Sequence, residues 1–180
     1  MAKVERRRLA ADIEGDFVVF IIGARFGWRI FRNLWFLRTM PAMLKELEKH
    51  PEMGLLGYQN LGLTTVVQYW RSWEQLEAYA RNPDATHFPN WVKFNKRIGS
   101  DGSTGIWHET YRVPAGSYEA VYNNMPPYGL GKASKLVTAT GKKLTAAGRL
   151  GDEGRELVTP AGDVVDPVAS SEPATMVAGE

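Results

Sequence analysis

The chemically densest stretch of this 180-residue chain runs from Thr104 to Leu130, TGIWHETYRVPAGSYEAVYNNMPPYGL, with a histidine beside an acid and a Pro/Gly-punctuated exit. Imidazole titrates near neutrality, binds metals and moves protons, so His108 has the widest chemical reach of these side chains. Ile106 to Val113 alternates as a strand does. Ile106, His108, Thr110 and Arg112 therefore share one face, and Trp107, Glu109, Tyr111 and Val113 share the other. Strand side chains stand perpendicular to the sheet at a two-residue repeat, so such a strand can line a pocket. The plainer reading is a half-buried strand whose histidine makes an ordinary hydrogen bond.

The remaining histidines divide by context. His87 stands in an aromatic stretch with Phe88, Trp91 and Phe94, whereas His50 precedes Pro51 at a helix end and reads as a surface or capping residue. The chain has no cysteine, which excludes a disulfide framework, thiolate chemistry and any Cys-ligated zinc or iron–sulfur site. No Gly-rich phosphate loop, Ser/His/Asp elbow or His-x-x-x-His zinc spacing is present. A hydrophobic share of 44% supports one core, and a net charge of +2 does not demand nucleic acid as a partner.

These side chains need elements to position them. Residues 1–15 read as a solvated leader: Arg6, Arg7 and Arg8 are not followed by an apolar core of signal-peptide length, and a cytoplasmic location is expected. DFVVFIIG, Asp16 to Gly23, is an apolar, β-branched run suited to a strand buried on both faces. The following stretch carries Trp28, Ile30, Phe31, Leu34, Trp35, Phe36 and Leu37 among arginines 25, 29, 32 and 38. It could lie on a membrane interface, but a strand-to-helix crossing with its apolar side against protein is favoured.

Thr39 to His50 is a helix, with Met40, Met43, Leu44 and Leu47 at i, i+3, i+4 and i+7 and Pro51 as its stop. Leu55–Asn60 and Thr64–Arg71 form a hairpin around Gly62. Ser72 and Gln75 have capping-box spacing, so a second helix runs from about Trp73 to Arg81. A further helical piece carries His87, with Lys93, Lys96 and Arg97 near its end. Residues 133–180 read as a flexible tail, since small residues, lysines, acids and Pro follow one another without periodicity.

Strand, helix, strand, strand, helix, strand is the order of a ferredoxin-like split β-α-β unit, an α+β fold over residues 16–132. Two helices cover one face of such a sheet. The other face requires a partner, and a symmetric homodimer packed sheet to sheet is the commonest solution.

The segments FVVFIIGARF, PAMLKELEKHPEMGLLG, YWRSWEQLEAYARNPDATHFPNW and GIWHETYRVPAGSYEAVYNNMPPYGL resemble an uncharacterised monooxygenase-like family of the dimeric α+β barrel superfamily. The order His108-Glu109, Val113-Pro114, Tyr118-Glu119, Asn123-Asn124-Met125 and Tyr128-Gly129-Leu130 is also distantly similar to heme-containing aldoxime dehydratases. That resemblance implies His108 as axial ligand of heme iron. It puts Met125 where those enzymes hold a distal histidine, and methionine transfers no proton. Arg25, Arg71 or Arg112 would then meet the heme propionates, and Glu119 would orient the His108 ring. Heme-degrading and quinol-oxidising members of the superfamily pair a strand Trp with a helix His, and Trp70 and His87 stand in those places. Cofactor-free relatives imply a different use, in which Trp70, His87, His108 and Tyr111 hold an aromatic substrate and a histidine acts as general base. A non-catalytic homodimer that binds heme or a small hydrophobic ligand is the alternative to an enzyme.

Overall fold

A computed structural model describes residues 3–27, 31 and 34–151. Strands β1 (Leu9–Asp12) and β2 (Phe17–Phe26) lead into helices α1 (Leu34–Leu37) and α2 (Thr39–Lys49). Strands β3 (Leu55–Leu61) and β4 (Thr65–Trp70), helices α3 (Trp73–Arg81) and α4 (His87–Arg97), and strand β5 (Thr104–Val113) follow. The chain then adds β6 (Val121–Tyr122), α5 (Leu130–Ala133), β7 (Lys135–Thr138) and α6 (Ala146–Leu150).

The main sheet has the order β3-β4-β2-β5 with every neighbour antiparallel, the ferredoxin-like arrangement within an α+β fold. Strand β2 takes the middle because its run of Val, Phe and Ile can be buried on both faces. Towards the helices it turns Val18, which joins Leu47, Trp70, Leu76 and Tyr79 in the larger core cluster. Helix α3 begins with half of the expected capping box: the Ser72 side chain accepts a hydrogen bond from the Gln75 backbone N–H at 3.2 Å, while the Gln75 amide donates to the Glu52 carbonyl. Helix α2 buries Thr39, Met43, Leu44 and Leu47, a stripe one turn apart that sits on the sheet.

The opposite face differs from expectation. Part of it is covered from within the chain, by a small sheet of order β6-β1-β7 and by α5. Phe17, Ala11 and Leu130 form the centre of this second cluster, with Val19, Tyr69 and Val113 packed around them. The expected leader therefore contains a buried strand: Leu9, Ala10 and Ala11 are at most 5% exposed, and β1 lies between two partners. The expected tail likewise supplies β7, which pairs with β1 from Leu9↔Thr138 to Asp12↔Lys135. Both segments are short and weakly patterned, and they are held by the apolar face they cover, which local periodicity does not display.

In the basic aromatic stretch after β2, Trp35 and Phe36 turn to protein, whereas Phe31 and Leu37 stay exposed. Phe36 lies 6.1 Å from Phe26 and 5.3 Å from Phe94 between ring centroids, and Lys93 sits 4.4 Å over the Trp35 ring. Trp28, Arg29, Ile30 and Arg32 fall outside the described residues. Among the described residues no helix is long and apolar enough to cross a membrane.

Candidate functional site

Between the main sheet and helices α2, α3 and α4 lies a cavity of about 1060 Å3. Its floor is Phe20, Ile22, Val66, Gln68 and His108, and its roof includes Met43, Leu44, Trp91 and Phe94. A volume of this size suits a small-molecule ligand with several rings.

His108 reaches the floor by strand parity. It pairs with Ile22 on β2, whose inward neighbour Phe20 lies 5.5 Å from the imidazole centroid at 39°. His108 is exposed on the edge strand β5, and among the described residues none hydrogen-bonds to its ring, so both nitrogens are open to water or to a ligand.

His87 enters from the helix side, as the first residue of α4. Its Nδ1 lies 2.9 Å from the Ala80 carbonyl oxygen. A carbonyl only accepts, so Nδ1 carries the hydrogen, and in the neutral ring the lone pair is on Nε2. The start of α4 is fixed by Glu46 on α2, whose carboxylate accepts from the Thr86 backbone N–H at 3.0 Å and from the Tyr79 hydroxyl at 2.8 Å. Burial, and then the Glu46 carboxylate beside it, push the Tyr79 phenol well above its ordinary pKa. Tyr79 thus stays a neutral donor in the cavity wall, with its ring 6.1 Å from that of His87.

Trp70 also lines the cavity, but it is wholly buried and its indole N–H donates to Gln68 Oε1 at 2.9 Å. It is a wall whose donor is already engaged. Gln68 in turn directs its amide nitrogen at Met40 Sδ, 3.7 Å away.

Three residues expected at the site stand apart from the cavity wall. Tyr111 has the opposite parity to His108, and its hydroxyl donates to Glu109 Oε2 at 2.6 Å on the other face, which raises its pKa. Met125 lies three residues beyond β6 in an isolated bridge, where its carbonyl accepts from the Glu5 N–H at 3.1 Å. Arg112 shares the His108 face but lies 5.3 Å over the Trp73 ring, on a residue that itself lines the cavity. Glu119, the expected partner of His108, instead binds Arg149, with Nε at 2.7 Å. Arg25 and Arg71 hold the Gly102 and Glu14 carbonyls at 2.8 and 2.7 Å. Among the described residues the cations that line the cavity are Lys45 and Arg81, and Arg81 is paired with Glu77 at 2.9 Å.

Sequence reasoning missed Gln68, Glu46 and Lys45. Gln68 had a signal: it alternates with Val66 and Trp70 on the inward side of TVVQYW, where a polar side chain needs a buried partner. Glu46 had none, because its partners lie 33 and 40 residues away.

A ferredoxin-like α+β domain with a ligand-sized, mainly apolar cavity carrying two imidazoles is the class that fold and site define. Residues 17–130 match the Monooxygenase af470-like family, and the chain belongs to it. It is 29% identical to Monooxygenase af470 of Aspergillus fumigatus, a match that covers 76% of this chain and 58% of that protein, so it spans well under two thirds of that relative's length. Among solved structures it is similar to an aldoxime dehydratase, with a TM-score of 0.58 and 20% identity over 76% of this chain and 43% of the other. It is also similar to an aldoxime dehydratase (OxdRE) in complex with butyraldoxime, with a TM-score of 0.57 and 17% identity over 74% and 44% of the two chains. At these identities the likeness concerns the fold.

Proposed function

We propose that this domain is an oxidoreductase- or lyase-type catalyst for a small hydrophobic molecule, with heme in the cavity and His108 as its axial ligand. The observation that carries the reading is the His108 imidazole, exposed on the edge strand β5, lining an apolar cavity of about 1060 Å3 with neither nitrogen engaged by a described residue. An iron porphyrin needs a nitrogen ligand, an apolar slot and a few cations, and it supplies redox and Lewis-acid chemistry at its metal. His108 offers the ligand, Phe20, Ile22, Val66 and Leu44 offer the slot, and Lys45 and Arg81 are the cations along the wall.

The chain's own residues have separate tasks. The lone pair on His87 Nε2 can accept a proton from a bound molecule, while the Ala80 carbonyl holds the ring in that tautomer. Tyr79 remains protonated and keeps α3 tied to α2 through Glu46. Trp70 and Gln68 close the inner end and exclude water. If no heme binds, the same His87 lone pair supports the second reading, a cofactor-free monooxygenase in which it is the general base.

Titration with hemin, followed at the Soret band, tests the first reading. One hemin per chain, with affinity falling about tenfold or more in His108→Ala, is expected for loss of an axial bond. Saturable binding that is indifferent to His108 would exclude it.

A symmetric homodimer completes the proposal. Trp107 and Tyr111 remain 43% and 50% exposed on the face away from the cavity, beyond the cover of the small sheet, and a second copy would bury them. Sedimentation velocity should show a dimer that Trp107→Glu converts to a monomer; a wild-type monomer at all concentrations would refute it.

A further inference from the structure

We propose that the end of the molecule carrying the β3–β4 turn docks on an anionic lipid surface, from which the cavity takes its hydrophobic molecule. Several elements meet at that end. The Ala24 N–H bonds the Thr64 carbonyl at 2.9 Å, Phe26 pairs with Thr104 at the start of β5, and Phe36 of α1 packs against both Phe26 and Phe94.

Apolar side chains are left in water there. Leu63 is 101% exposed at the turn, and Leu61 and Leu37 are 44% and 40% exposed. Phe31, in the segment that joins β2 to α1, is 82% exposed. Leu63 and Leu37 also line the cavity, so the cavity reaches the surface between them. Exposed apolar side chains gathered at one end, unlike ones scattered singly, mark an interaction surface.

Charge specifies the partner. From Ala24 to Lys45 the sequence has five cations, at Arg25, Arg29, Arg32, Arg38 and Lys45, and no acid. From His87 to Ser100 it has Lys93, Lys96 and Arg97, again without an acid. Arg29 and Arg32 lie outside the described residues; the other six cations stand on β2, α2 and α4 or between α1 and α2, with Asp101 as an acid in the turn before β5, in a chain whose net charge is only +2. Arg25, Arg38, Lys93, Lys96 and Arg97 are exposed. Basic side chains around protruding Leu and Phe match a bilayer with anionic headgroups, where cations meet phosphates and apolar tips enter the acyl boundary. A nucleic acid would satisfy the cations and leave Leu63 and Leu37 in water. The inference is independent of the heme reading, since neither His108 nor His87 takes part in it.

Co-sedimentation of the full chain with phosphatidylcholine vesicles, with and without about 30% phosphatidylserine, tests it; partitioning should rise about tenfold with the anionic lipid and fall in high salt. Leu63→Asp removes a side chain wholly in solvent, leaves the fold intact by circular dichroism, and should reduce partitioning about fivefold. Lys96→Glu should reduce it several-fold on anionic vesicles alone. Equal binding to neutral and anionic vesicles, or no effect of Leu63→Asp, would overturn the proposal. So would an oligomer that Leu63→Asp dissociates, which would make this end an interface between copies. Tight binding to a single-stranded oligonucleotide that ignores Leu63→Asp would also overturn it.

Discussion

Replacing Glu46 by alanine should destabilise the domain far more than a half-buried surface carboxylate normally does. Glu46 accepts from the Tyr79 hydroxyl at 2.8 Å and from the Thr86 backbone N–H at 3.1 and 3.0 Å, joining α2 to the end of α3 and the start of α4. Each is a hydrogen bond to a charged acceptor, worth about 1.5–3 kcal/mol when the partner is left unsatisfied. Tyr79 is only 6% exposed, so water does not replace the lost acceptor there. The sum is about 3–5 kcal/mol, allowing for relaxation at Thr86, against a total stability of about 5–15 kcal/mol. In a chain of this size that lowers Tm by about 6–20 °C. Urea denaturation of wild type, Glu46→Ala, Tyr79→Phe and the double variant should show a coupling of about 1.5–3 kcal/mol between the two positions. A Glu46→Ala loss below about 1 kcal/mol, or no coupling to Tyr79, would refute the idea that this carboxylate sets the position of α4 and hence of His87.

Gly57 on β3 lets α5 approach closely: a Cβ there would lie 2.9 Å from Ala133 Cβ and 3.0 Å from its Cα. Gly57→Val should therefore cost about 1–3 kcal/mol in urea denaturation, and a change below about 0.5 kcal/mol would contradict the packing of α5 on the sheet. Alkaline pH gives a separate test, because burial raises the phenols of Tyr69, Tyr79 and Tyr122 above their ordinary value. A pKa raised by folding contributes stability that is complete below the unfolded value, about 10, and is lost as pH rises towards the folded value. The difference in urea midpoint between wild type and Tyr79→Phe should accordingly shrink from pH 9 to pH 11. A constant difference would mean that the Tyr79 phenol does not titrate on unfolding.

Much of the core domain was legible because its signals are local. The alternation of Ile106 to Val113 placed His108 and Tyr111 on opposite faces, and the structure keeps them there. That parity already argued against using both in one site. The capping box at Ser72 and the Met43, Leu44, Leu47 stripe fixed two helices to within a residue or two. The illegible parts depend on long-range closure. Leu9–Asp12 is held between β6 and β7, more than a hundred residues away, and its own four residues, LAAD, carry no strand pattern. Met125 fell near His108 only in the ordering of motifs, and an isolated bridge pairs it with Glu5 instead. Glu119 met its cation, Arg149, in a region read as tail.

Whether His108 would hold heme iron is tested most directly by imidazole rescue of His108→Gly. If His108 holds the heme, the variant leaves a space at residue 108 that free imidazole can enter. The account predicts that its hemin complex has an altered absorption and EPR spectrum, and that added imidazole restores the wild-type spectrum while His87→Ala retains it throughout. A His108→Gly complex identical to wild type before imidazole is added, or a loss of the wild-type spectrum in His87→Ala instead, would contradict it.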